Sequence, residues 1–319
     1  MNYKEFKEQL EKELSKISEQ GNYSIEFDSF LKNNGQKLDG VIIKQKDNDI
    51  APVVYLDQFY NEFLKGRSVS DIAREIFLLA GKGMEAISKE QVPQMTWESI
   101  KDRLYVTVIN AEANEDLLVN TPHRRLEDLA IVPKIRVTED VHGSSSIRVT
   151  NQLLGIIEKT KDEILNQAIA NTNEQPFTCR NIFDVIKGNL GDEIEMMDEI
   201  FADGRGPSLY VATLPNGIDG ASILACREAL SRLIEDFGDD VYVLPSSTDE
   251  VLFVPKSSGV GLDELKTMVH DVNRTEVPPG KILSDNVYQF ERATKKLTIA
   301  TGEQPSLVDR LSKTKHMAM

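Results

Sequence analysis

Two apolar runs, Val241-Tyr242-Val243-Leu244 and Val251-Leu252-Phe253-Val254, flank a polar corner, Pro245-Ser246-Ser247-Thr248-Asp249-Glu250. Short apolar runs rich in β-branched and aromatic residues, broken by Pro and Ser, read as two strands turning back on each other. The constraint is topological: strands joined this tightly are antiparallel, whereas a doubly wound parallel sheet needs a long crossover between every pair.

The pattern recurs weakly downstream of residue 206. Tyr210-Val211, Tyr242-Val243 and Tyr288-Gln289 each begin a strand, with a turn and second strand expected after each, and helical stretches begin near Arg227, Leu262 and Pro305. The second helix carries Leu262, Leu265, Met268, Val269 and Val272 on one face. This predicts an α+β fold, antiparallel sheets with helices packed on one face, and a C-terminal module of repeated β-β-α units.

The N-terminal part follows the same economy. Tyr3, Phe6, Leu10, Leu14 and Ile17 make one apolar stripe of a helix. Tyr23, Ile25 and Phe27 alternate before Asn33-Asn34-Gly35, a hairpin signal, and Val69, Ile72, Ala73, Ile76 and Phe77 form another helical face. Trp97 to Val119 reads both ways; Ile100, Leu104 and Val108 at helical spacing favour a helix over 98–110. The expected organisation is an α+β region over 1–150, a helical connector over 151–205, the β-β-α module over 206–311 and a frayed tail over 312–319.

Composition narrows the function classes. The 319-residue chain carries a net charge of −15, which opposes binding to a phosphate backbone, so no nucleic-acid partner is expected. An acidic surface instead suits a basic protein, or imitates DNA for a DNA-binding protein. The longest apolar run, Ile76 to Ala80, is far below the roughly 20 residues of a membrane span, and the N-terminus is not a secretion signal; no membrane association and a cytoplasmic location are expected. Cys179 and Cys226 are too few for a disulfide framework and lack zinc-ligand spacing.

Phosphate loops, zinc helices, nucleophile elbows and dinucleotide fingerprints are all missing, and neither a cofactor nor a metal is expected. The candidate catalytic residues are His123, Asp128, Ser247 and Asp249. His123 with Asp128 pairs a base with an orienting carboxylate, and Asp249 beside Glu250 offers a carboxylate pair. Each has a plainer reading. Serines and threonines at a turn bond their own backbone, and adjacent residues on a strand face opposite ways. Arg124 and Arg125 are candidate anion clamps, or structural ion-pair partners. Arg274 and Glu276 are also candidate binding residues; with Asp285 they are read as bracing the Pro278-Pro279-Gly280 loop by ion pairs, with Asn273 as a left-handed helix cap. The acidic run Asp192 to Asp203 lacks the alternating ligands of a calcium loop and reads as a solvated helix face.

Several of these stretches together carry a resemblance: Leu31 to Gly35, Pro122-His123-Arg124, Leu129 to Val132, Thr150 to Leu154, Leu244 to Ser247, Val272 to Val277 and Leu283 to Tyr288. On them the chain resembles a bacterial family of unknown function, DUF5688, seen in Gram-positive gut bacteria and often near mobile elements. The resemblance spans most of the chain and implies no reaction. It implies histidines where this sequence has Asp249 and Asn286, so a catalytic histidine in the C-terminal module is not expected, whereas His123 and Arg124 match. Two functions follow as expectations: an interaction or accessory protein, in the setting of a mobile element or counter-defence, whose partner is another protein; or a hydrolase or transferase with His123, Arg124, Asp128 and Ser246 to Glu250 in one cleft.

Overall fold

The computed structural model describes residues 1–18, 21–45, 51–89, 93–140, 143–190 and 208–302. It is α+β, and its sheet pairings are antiparallel. The chain forms two compact units from interleaved segments. One comprises Met1–Arg103, Ala113–Pro122 and Lys134–Thr160; the other comprises Leu104–Glu112, His123–Pro133 and Lys161–Met319.

In the first unit, helix α1 (Tyr3–Ser18) precedes strands β1 (Tyr23–Leu31), β2 (Lys37–Gln45) and β3 (Val53–Tyr55), which pair in the order β1-β2-β3. Asn34 and Gly35 turn the first hairpin with φ of 57° and 66°, the left-handed values that Asn and Gly tolerate. Register places Ile25 opposite Ile43 and Phe27 opposite Val41, so the alternating apolar set meets one core with Phe6, Leu10 and Leu14 of α1. Helices α2 (Asp57–Leu64) and α3 (Val69–Lys89) add Phe59, Ile72, Ala73 and Ile76. At the start of α3 the Ser68 hydroxyl accepts from the Asp71 amide at 3.1 Å, satisfying an otherwise orphaned N–H.

Over 98–110 the structure corrects the expected helix. Helix α4 stops at Ile100 (Trp97–Ile100), a 3-10 turn follows, and strand β4 runs Leu104–Asn110. Every residue from Leu104 to Ile109 is buried. A strand covered on both faces needs no alternation, so the coincidental fourfold spacing of Ile100, Leu104 and Val108 was no guide; the β-branched run was. After helix α5 (Glu115–Leu118), strands β5 (Arg124–Leu126) and β6 (Leu129–Asp140) form a tight hairpin, and β7 (Gly143–Arg148) pairs with the later part of β6. The turn expected at Gly143 to Ser145 is therefore strand, and His142 lies outside the described residues.

Helices α6 (Asn151–Ile156) and α7 (Lys161–Asn173) come next. In the second unit β8 (Thr178–Asn181), β9 (Tyr210–Thr213), β10 (Val241–Leu244), β11 (Glu250–Pro255), β12 (Tyr288–Glu291) and β13 (Lys296–Ile299) form one sheet in the order β13-β12-β10-β11-β9-β8. Helix α8 (Ile182–Leu190) follows β8, and α9 (Arg227–Leu233) and α10 (Leu262–Thr275) lie farther on. Leu265 and Val269 of α10 pack with Tyr242, Leu244 and Val254. Val241 and Val243, alternating with these on β10, are equally buried, so the middle of the sheet is covered on both sides.

The threefold β-β-α repeat is not clearly seen. Among the described residues of this module the middle unit alone, β10-β11-α10, runs strand, strand, helix. After β9 the chain enters a 3-10 segment, Gly220–Ala225, instead of a second strand. Asp219 is left-handed there (φ 55°), and Gly220 lies so close to the Asp249 carbonyl that a Cβ would meet that oxygen at 2.2 Å. The third helix near Pro305, the acidic run over 192–203, the Gly204 to Pro207 boundary and His316 all lie outside the described residues. Among the described residues no helix is long and apolar enough to cross a membrane.

Candidate functional site

The polar corner is built from the backbone outward. Leu283 N donates to Ser246 O at 3.1 Å, Ser284 N to Pro245 O at 3.1 Å and Thr248 N to Lys281 O at 2.9 Å. Ser247 and Ile282 form an antiparallel bridge. The corner is thus half of a small two-stranded annex, with the 281–284 segment as the other half. In this annex Ser246, Ser247 and Thr248 are only 8% exposed, and the Thr248 amide is satisfied by Lys281 O. One local bond of the expected kind is present: the Ser247 hydroxyl accepts from the Asp249 amide at 3.1 Å.

Asp249 is the anchor at the end of the corner. Its carboxylate pairs with the Lys281 ammonium and accepts from the Asp219 amide at 3.3 Å, while its carbonyl accepts from Gly220 N and from the Thr213 hydroxyl at 2.7 Å. Asp219 in turn accepts from the Thr107 hydroxyl at 2.7 Å. Glu250 opens β11. Desolvation there, and then the neighbouring Asp249 charge, hold its carboxyl above the usual range, although the Lys281 ammonium opposes the shift.

A second focus gathers on Asp128, in the two-residue turn between β5 and β6 whose first residue, Glu127, has φ 56°. Its carboxylate accepts from the Ser284 hydroxyl at 2.7 Å, from the Asn286 amide at 3.0 Å and from the Tyr288 phenol. Tyr288 is wholly buried, and burial first, then the Asp128 carboxylate, drive its phenol far above the ordinary tyrosine range. Asn110 donates to Leu283 O at 3.0 Å. The Asn273 amide donates to Ser284 O at 3.0 Å and to Asp285 Oδ1 at 2.7 Å, and its own oxygen is buried without a partner among the described residues. One segment, 281–288, therefore links Asp128 to the corner.

The other sequence candidates lie differently. His123 precedes β5 and is half-buried. Arg124 turns to α7, donating to Asn166 at 2.9 Å with Asp162 at 3.4 Å, the structural pairing open to it from the start. Arg125 is exposed on β5. Asn273 sits inside α10, buried, and is not its left-handed cap: its amide is used across the fold, not along the helix. Arg274 and Glu276 are exposed and, among the described residues, make no ion pair; Asp285 is held by Asn273 instead. Among the described residues no group of three or more His, Cys, Asp or Glu is placed to hold a metal ion.

Sequence reasoning did not place Ser284, Asn286, Tyr288, Lys281 or Asn110 among the candidate site residues. The dense polar run Ser284-Asp285-Asn286 between buried Leu283 and Val287 was the available signal, but nothing local names a partner more than 150 residues away. No curated protein and no solved structure matches the chain. The model of a family of unknown function, DUF5688, matches residues 3–292, a span that includes the corner, Asp128 and the whole 281–288 segment, and the chain belongs to that family.

Proposed function

We propose that this chain is a cytoplasmic binding protein that engages another protein through its acidic surface, with the Asp128 and Asp249 networks holding its loops in shape. The supporting observation is that the hydroxyls near these carboxylates are sealed. Ser284 is 1% and Tyr288 0% exposed, and both spend their protons on Asp128. A nucleophile must be reachable and have a base free to take its proton; here the carboxylates are occupied by internal donors and act as struts.

The sequence is rich in acid. The chain has 52 acidic and 37 basic residues, and 192–203 contributes six acids with no Lys or Arg. Such a surface attracts basic proteins and can imitate nucleic acid for a DNA-binding protein, which supports extending the proposal to an accessory or counter-defence role beside a mobile element. The test is capture from native lysate by immobilised full-length chain, against a variant with the six acids of 192–203 changed to Asn and Gln. The expected result is one stoichiometric basic partner, released as salt rises from about 0.05 to about 0.5 M and missing from the variant. Identical captures by both chains sink the proposal.

A second reading, hydrolysis or group transfer using His123, Arg124 and Ser246 to Glu250, draws on one observation: the 281–284 segment joins the corner to Asp128. Turnover of a generic ester or phosphoester that Ser247→Ala abolishes would favour it over binding alone.

A further inference from the structure

The turn joining β12 to β13 carries Arg292 and Lys295; with Glu228 and Arg232 of α9 and Glu235 just beyond it, they line a cleft of about 430 Å³. That volume falls in the range of about 300–1,000 Å³ typical of small-molecule sites. The charge arrangement is unusual for so acidic a chain. Among the described residues neither Arg232 nor Arg292 makes an ion pair with a carboxylate. Each instead donates one guanidinium N–H to a backbone carbonyl: Arg232 to Asn173 at 2.8 Å and Arg292 to Glu235 at 3.1 Å. A carbonyl anchor orients the planar fork without neutralising it, and a guanidinium has five donors to offer. Lys295, left-handed at φ 51°, reaches across to Glu228 at 2.5 Å.

We propose that this cleft binds the phosphate ester of a small molecule, the phosphate seated between the Arg232 and Arg292 forks and the organic part filling the remaining volume. Two oriented guanidiniums match a dianion with three terminal oxygens better than a single carboxylate. Glu228 is already neutralised by Lys295, and among the described residues that line the cleft Glu235 is the remaining opposing charge, which sets an upper limit on affinity.

The experiment is calorimetric titration of the full chain, at constant ionic strength, with phenyl phosphate and separately with inorganic phosphate. Phenyl phosphate is expected to saturate one site with a Kd between about 10 µM and about 1 mM, and inorganic phosphate to bind more weakly. Arg232→Ala and Arg292→Ala each weaken phenyl phosphate binding at least about tenfold, while Lys296→Ala, outside the cleft, leaves it unchanged. Glu235→Gln, whose side chain carries no bond among the described residues, tightens it about threefold by removing the opposing charge; this readout stands even where an arginine variant unfolds. No saturation by either probe, arginine variants that bind normally, or a Glu235→Gln chain that binds no tighter overturns the site. Equal affinity for the two probes overturns the ester and makes free phosphate the ligand.

Discussion

Tyr288 and Asp128 lie 160 residues apart in the chain, and the phenol of one donates to the carboxylate of the other. Removing the acceptor strands two buried hydroxyls, Tyr288 and Ser284, without replacing their lost water. Asp128→Ala is therefore expected to lower unfolding free energy by about 2–4 kcal/mol. In a double-mutant cycle with Tyr288→Phe the coupling should reach about 1 kcal/mol. Urea denaturation reads both, and strictly additive losses would show that the pair is not energetically joined.

The same pair governs the alkaline limb of stability. Tyr288, buried and facing a carboxylate, keeps its proton in the folded state where an unfolded tyrosine loses it near pH 10. Its contribution is complete below that pH and is lost as pH rises further, with a slope approaching about 1.4 kcal/mol per pH unit. Tyr3, half-buried and bonded to Asp39, shifts in the same direction. Urea midpoints followed from about pH 8 to about pH 11 should fall less steeply in Tyr288→Phe. An unchanged slope would remove Tyr288 from the account.

Two glycines should respond oppositely to alanine. At Gly220 a Cβ would meet Asp249 O at 2.2 Å and Thr213 Oγ1 at 2.6 Å, so backbone must move, and a loss of about 3 kcal/mol is expected. At Gly81, within α3, nothing lies within 4 Å, and alanine should stabilise by about 0.5–1 kcal/mol by restricting the unfolded chain. Thermal melts of the two variants should move apart; a Gly220→Ala chain melting like the parent would contradict the packing.

Asn273 uses its amide hydrogens to hold Ser284 O and Asp285 Oδ1. Asn273→Asp replaces both donors with acceptors and buries a charge facing another carboxylate. A loss of at least about 3 kcal/mol is expected, measurable by chemical denaturation, with Asn273→Ala losing less because it adds no charge. The reverse order would mean that the side chain makes little difference there.

Burial pushes the Cys179 thiol up to about 11 and the Cys226 thiol up to about 12, with Arg232 slightly offsetting the latter. The thiolate is the reactive form, so both should react with a disulfide reagent at pH 8 far more slowly than a free thiol. Cys226, 1% exposed, should be labelled only as the chain unfolds, its rate rising with urea. Immediate stoichiometric labelling of Cys226 in native buffer would refute its burial.

The elements that were legible in the sequence are those whose pattern is their own. The α1 stripe, the alternation of Tyr23, Ile25 and Phe27 and the Asn34-Gly35 turn follow from the helical and strand periods of a chain burying one face, while the β10-β11 pair was marked by β-branched runs broken at Pro245 and the serines. The plain reading of Ser247 as a turn hydroxyl was legible for the same reason, since its bond reaches only two residues along.

Tertiary structure alone decided the rest. Strand β4 hid its identity because both of its faces are covered, which erases alternation. The corner needed Lys281 to Ser284 as its second edge, and Asp128 needed Ser284, Asn286 and Tyr288, contacts between 156 and 160 residues long. Neither end of such a bond leaves a local mark, because side-chain chemistry shows what a group can accept or donate, while only the closed fold chooses its partner.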